Sequence, residues 1–124
     1  MVELTGSDQD VNAVRLRGRV SGVPERRVLP SGDEVVALRL VVRREDETTV
    51  DTIDVSVGPA PAAGTRRSAG QVGRRLLAAA ERLVPDQRIE VVGQLRRRWW
   101  EAGGARRSRL EVRGATLARV TEDA

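Results

Sequence analysis

Cysteine, histidine, lysine, phenylalanine and tyrosine are all missing from this chain, and its whole aromatic content is two tryptophans. Without cysteine there is no disulfide and no thiolate metal site, which fits a reducing compartment or is simply uninformative about the compartment. Without histidine or cysteine, the usual nucleophile and base pairs are absent too. Asp51 and Asp54 stand three apart on an expected strand, so they face opposite ways and make a poor acid-base dyad or metal pair. No glycine-rich phosphate loop occurs, no apolar run approaches a membrane span, and the acidic N-terminus is no signal peptide. These absences lead us to expect a non-enzymatic, soluble, cytoplasmic protein that needs neither cofactor nor metal.

The missing lysine qualifies the charge. All 22 basic residues are arginine, which looks like GC-rich coding bias, so part of that count says nothing about function. Its distribution says more. Five of the 18 acids (Glu3, Asp8, Asp10, Glu122 and Asp123) lie in terminal segments without arginine, leaving a surplus of nine positive charges over residues 11–120. A basic body with acidic ends points to a polyanion partner. The competing reading is an arginine surface neutralised by salt bridges.

At 124 residues, the chain is long enough for one domain with an ordinary core. Residues 1–11 have no periodicity and read as a flexible arm. In residues 12–22, Val14, Leu16, Gly18 and Val20 alternate with Arg15, Arg17 and Arg19, the pattern of a strand. Three arginines on one strand face cannot be buried together, so they meet solvent or a polyanion. Residues 23–33, with two prolines and a Pro-Ser-Gly turn, read as a loop. Residues 34–44 form a second expected strand, with Val36, Leu38, Leu40 and Val42 on one face and Ala37, Arg39, Val41 and Arg43 on the other. An acidic turn at 45–47 leads to a third, residues 48–57. Residues 58–70 read as loop, including Arg66 and Arg67. Residues 71–84 carry the helical period, with Ser68 as N-cap and Pro85-Asp86 as the stop.

The most informative stretch is residues 88–113, RIEVVGQLRRRWWEAGGARRSRLEVR. Ile89, Val91 and Leu95 alternate with mostly polar neighbours, and Gly103-Gly104 supplies the positive φ angles of a hairpin turn. A second alternating run extends to Val120. The hairpin carries Arg96, Arg97, Arg98, Trp99 and Trp100 on one strand and Arg106, Arg107 and Arg109 on the other. Cationic side chains beside a flat indole suit a phosphate chain with unstacked bases. Adjacent strand residues face opposite ways, so at most one tryptophan occupies a given face. One tryptophan is then expected as the stacking platform and the other as structural.

Three strands, a helix and two strands form the order of an OB-fold, an all-β five-stranded barrel with one helix between strands 3 and 4, the main alternative being a different small β-barrel capped by a helix. With that order in place, NAVRLRGRV at 12–20, Pro24-Glu25 followed by Pro30-Ser31-Gly32, and VVGQLRRRWW at 91–100 resemble the bacterial single-stranded DNA-binding protein family. Here it would be a short, tail-less, actinobacterial-like member. The resemblance covers residues 12–120. It implies an OB-fold that assembles through its first strands as a homo-oligomer, tetramer or dimer. That assembly wraps single-stranded DNA, without strong sequence preference, in replication, recombination or repair. It also marks Trp100 as the family's base-stacking tryptophan, which leaves Trp99 as the structural one.

The departures are informative. The family's aromatics on the second hairpin and third strand are replaced by Glu45-Asp46-Glu47 and by Asp51, Ile53, Val55 and Val57. Each lost stack is worth roughly 1–3 kcal/mol per base, so binding should lean on charge. Residues 121–124 read as a stub, with no counterpart of the family's acidic recruitment tail. The expected nucleic-acid contacts are Arg15, Arg17, Arg19, Arg39, Arg96, Arg97, Arg98, Trp99, Trp100, Arg106, Arg107 and Arg109. For Arg15, Arg17 and Arg19, the rival is pairing with Glu90, Glu111 or Asp54 across a subunit contact. For the whole chain, the rivals are a protein-interaction module similar to primosomal accessory proteins, and RNA binding in the same groove.

Overall fold

A computed structural model describes the backbone of residues 1–6, 8–60 and 68–121, and the side chains of all of these except 60 and 68–72. The strands are β1 (Val14–Val28), β2 (Glu34–Arg43), β3 (Val50–Ala60), β4 (Arg88–Ala102) and β5 (Ala105–Arg119), with helix α1 (Ser68–Glu81) between β3 and β4. They close into a barrel in the order β1-β2-β3-β5-β4. Only the β3–β5 pairing is parallel. This is the OB-fold arrangement that the element order predicts.

Closure depends on β1 serving two neighbours. Its first part, Val14 to Arg19, pairs with Gly93 to Arg88 of β4, and the rest pairs with β2 as far as Val28↔Glu34. The ladder to β4 is extended by a side chain. Asn12 Nδ2 donates to the Leu95 carbonyl at 2.7 Å, and the Leu95 amide donates to Asn12 Oδ1 at 2.8 Å. The described residues before Val14 contain no helix or strand.

Inside the barrel the alternation is obeyed. Val20, Val36, Leu38, Leu40, Val55, Val57, Ile89, Val91 and Val112 point inward, and α1 adds Leu77 and Ala80. The helix packs chiefly against β3. With no aromatic inside, packing rests on many branched side chains of modest size, each contributing about 1.5–3 kcal/mol when fully buried. Leu95 shares the strand face of Ile89 and Val91 yet is 42% exposed. The register slips between Val92 and Gly93, where the pairing of β4 with β1 also ends. At that slip β4 and β5 nearly touch. A Cβ on Gly93 would lie 1.8 Å from the Arg113 carbonyl oxygen, so only glycine fits.

Three sequence-based boundaries are corrected. Residues 23–28, expected as loop, continue β1. Between Ser21 and Glu25 the register slips, so residues 22–24 stand against Leu38 alone. The buried Pro24 falls in this bulge, where its missing N–H removes no ladder bond. Arg26 clamps the extension through Glu34 at 2.7 Å and Glu81 of α1 at 2.8 Å. The hydrogen bond from Arg26 holds the Glu81 carboxyl below its ordinary range. Strand β3 likewise runs on to Ala60, past the expected end at Val57.

The helix occupies 68–81 rather than 71–84. It stops before Pro85 because a residue preceding proline is driven from the helical region. The freed Val84 amide donates to Gln87 Oε1 at 3.2 Å. Leu83 still packs on the core, whereas Val84 is 56% exposed. The Ser68 cap and Val72 fall outside the described side chains.

The short acidic turn between β2 and β3 is held by one side chain. Asp46 accepts from the Thr48 amide at 3.1 Å, the Thr49 amide at 3.0 Å and Thr49 Oγ1 at 3.0 Å. Those donors, the Thr49 amide foremost, keep its carboxyl below the usual range.

Candidate nucleic-acid interface

The β4–β5 hairpin ends in a two-residue turn, Gly103-Gly104, with φ of 59° and 77° between the paired Ala102 and Ala105. Positive φ at both positions matches the twist of the flanking strands, and only glycine adopts it without cost. The turn fixes the register and thereby sorts the basic side chains. On one face lie Arg96, Arg98 and Trp100, opposite Glu111, Arg109 and Arg107. Arg97 and Trp99 lie on the other face, opposite Leu110 and Ser108, with Arg106 nearby.

The first face closes one wall of a groove of about 470 Å³. Its other walls are Glu25 and Arg27 of β1, Arg39 of β2 and Asp54 of β3. The hairpin contributes Arg98, Trp100, Arg109 and Glu111. Arg98 lies 5.3 Å from the centre of the half-buried Trp100 ring. Arg98 and Arg109 face each other directly across the ladder, a like-charge pair that favours an anion between or beside them. Asp54 supplies part of that charge, lying 2.9 Å from Arg109 and 3.4 Å from Arg39.

On the opposite face, Trp99 is 52% exposed, and its ring lies under the guanidinium groups of Arg106 at 4.5 Å and Arg97 at 5.9 Å. It neither enters the core nor plugs the barrel. Arg97 also donates to Ser108 Oγ at 2.9 Å.

The sequence-predicted residues therefore fall into separate sets. Arg39, Arg98, Trp100 and Arg109 meet in the groove. Arg97, Trp99 and Arg106 form a second stack outside it. Arg107 projects at the hairpin end opposite Trp100, and Arg96 stands opposite Glu111. Arg15 and Arg17 are elsewhere, on the outer face of β1 against β4, where both pair with Glu90 of the same chain. The Arg15 contact is 2.9 Å. The hydrogen bond from Arg17, reinforced by the charge of Arg15, holds the Glu90 carboxyl below its ordinary range. Arg19 is exposed and opposite Arg88, with no ion pair among the described residues. Arg66 and Arg67 lie outside the described residues.

Sequence reasoning missed several charged lining residues, among them Asp54, which was weighed as a partner for arginine and not as a wall of the groove. Arg27 and Glu25 were hidden by reading 23–33 as loop, although the run from Glu25 to Val28 has no turn residue of its own. Glu111 was counted only as a pairing acid. Further up β5, Arg113 is lowered from its ordinary value by burial and by nearby Arg96, and its Nε has no partner among the described residues.

No family model matches the chain, and no curated protein matches it in sequence. Solved structures do. The N-terminal domain of PriB from Thermoanaerobacter tencongensis, solved as a dimer, is 22% identical with a TM-score of 0.61, over 90% of this chain and 98% of that one. A deletion mutant of the single-stranded DNA binding protein from Thermus aquaticus is 24% identical with a TM-score of 0.63, over 98% of this chain and 46% of that one. The wild-type Thermus protein is 23% identical with a TM-score of 0.63, over 92% and 42%. The chain spans less than half the length of the Thermus proteins. At these identities the likeness establishes the fold.

Proposed function

We propose that the protein binds single-stranded DNA through the groove between the β1–β2 edge and the β4–β5 hairpin. The observation that carries this is Trp100 beside Arg98 in a concave, arginine-lined site of an OB-fold, the fold shared with the Thermus aquaticus single-stranded DNA binding protein. Arg39, Arg98 and Arg109, with Arg27, take phosphates and release counterions, while Trp100 stacks on one base. Residues 12–120 form the binding unit, flanked by the arm and the stub. Binding is not tied to a fixed sequence and serves to cover strands in replication, recombination or repair. The protein works as a homo-oligomer in the cytoplasm, at the nucleoid, and carries out no catalysis.

The test is fluorescence anisotropy of a labelled oligo-dT strand at two salt concentrations, with duplex as control. Single-strand preference is expected, with log K falling by roughly 0.7 per phosphate contacted for each tenfold rise in salt. A flat salt response contradicts the charge-driven mechanism.

A second reading has one observation of its own. Trp100 alone among the described lining residues is aromatic, which favours a protein-interaction module whose arginines meet acidic surfaces. A Trp100→Ala variant that binds DNA as well as the parent supports it. Parallel RNA and DNA titrations separate the two nucleic acids.

A further inference from the structure

Glu111 is only 7% exposed, yet it lines the groove. The other buried-side carboxylate there, Asp54, is held by two arginines. Glu111 is not. Its nearest cation, Arg113 Nη2, stands at 4.0 Å, beyond hydrogen-bond distance, and no other donor among the described residues reaches it. A carboxylate this deep is ordinarily hydrogen-bonded, and one held only by this long ion pair keeps lone pairs for a donor that enters the groove.

The chemistry of that ligand is restricted. A carboxylate only accepts hydrogen bonds. It repels phosphate, so the strand's backbone must stay at the arginine rim while a base edge turns inward. Thymine offers one N–H flanked by two carbonyls. Adenine and cytosine offer an amino group beside a ring nitrogen that is itself an acceptor and repels the second oxygen. Guanine alone presents two adjacent donors, N1–H and N2–H, matching both oxygens of one carboxylate on its Watson–Crick edge.

We propose that Glu111 gives the groove a preference for guanine, superimposed on binding that needs no fixed sequence. The inference rests on the single-stranded DNA reading above. Glu111 is level with Arg96, four residues along β4 from Trp100, or roughly 13 Å at strand spacing. The guanine is therefore a neighbour of the nucleotide stacked on Trp100, not the same one.

The experiment compares three labelled strands by anisotropy at one low salt concentration: oligo-dT, the same strand with isolated guanines, and the same strand with inosine at those positions. Inosine keeps the ring, O6 and N1–H of guanine but lacks the N2 amino group. The wild-type protein should bind the guanine strand about tenfold more tightly than the inosine strand, the effect of one good bidentate pair. Glu111→Gln, which replaces one acceptor by a donor, should remove that difference. Equal wild-type affinity for the guanine and inosine strands overturns the proposal, and needs no variant to fold. So does a guanine preference that survives in Glu111→Gln. If oligo-dT binds in either case, the single-strand reading stands. Failure to bind any strand overturns that reading and this one with it.

Discussion

Two places in the molecule use the same device, two arginines sharing one carboxylate. On the outer face of β1, Arg15 and Arg17 converge on Glu90. In the groove, Arg39 and Arg109 converge on Asp54. Counted as charge the sites are equal, each carrying one surplus positive. They differ in surroundings. The β1 site is spread over neighbouring strands with no aromatic beside it. The groove site is concave and bounded by Trp100, Arg98 and Arg27. Low-dielectric walls focus a field that open water disperses, so a phosphate gains more in the groove from the same local charge. Shape and the indole, more than arginine number, separate the proposed binding site from a neutralised surface.

The largest effect should come from removing the indole. Trp100→Ala is expected to lose about 1–3 kcal/mol of oligo-dT affinity, read by anisotropy at fixed salt. Trp99→Ala, outside the groove, should lose less, and an equal loss would merge the two faces of the hairpin into one site. Next is Arg109→Ala. It should weaken binding and reduce the slope of log K against log salt by roughly 0.7, one phosphate contact. Arg17→Ala should barely change that slope. A reduction as large as that of Arg109→Ala would break the comparison by placing β1 on the DNA path.

The smallest effect concerns stability. Glu90 has its carboxyl depressed in the fold, so its interaction stabilises the protein above the unfolded glutamate range and is lost as pH falls through the lower folded value. Arg17→Ala should therefore be less stable than the parent at neutral pH, with the gap narrowing in acid. Denaturant unfolding at neutral and strongly acidic pH measures this.

Much of the fold is legible as alternation. The inward sets of β2 and β3 and the opposed tryptophans follow from a two-residue period that the barrel does not disturb. Legibility ends where the backbone departs from that period. Pro24 signals a loop by local chemistry, but the bulge removes the hydrogen bond that proline would break, so β1 continues and brings Arg27 to the groove. Beyond Gly93, where β4 loses β1 as a ladder neighbour, Leu95 is exposed on a strand face that is buried at Ile89 and Val91. The groove itself is a tertiary product. That Arg39 and Arg109 share Asp54, while Glu111 on the same surface has only Arg113 at 4.0 Å, depends on three strands meeting and has no local signature.

The barrel interior is built without a single ring, and both indoles sit on the protruding hairpin. With tyrosine absent as well, the intrinsic fluorescence of the protein comes from one β-ribbon. Loss of that signal during unfolding tracks the hairpin, while melting of the Val and Leu interior contributes no fluorescence of its own. A fluorescence transition that precedes the backbone circular-dichroism transition would show the ribbon fraying from an intact barrel. Equally, any quenching on adding a ligand is read out at the hairpin, with no background from the core.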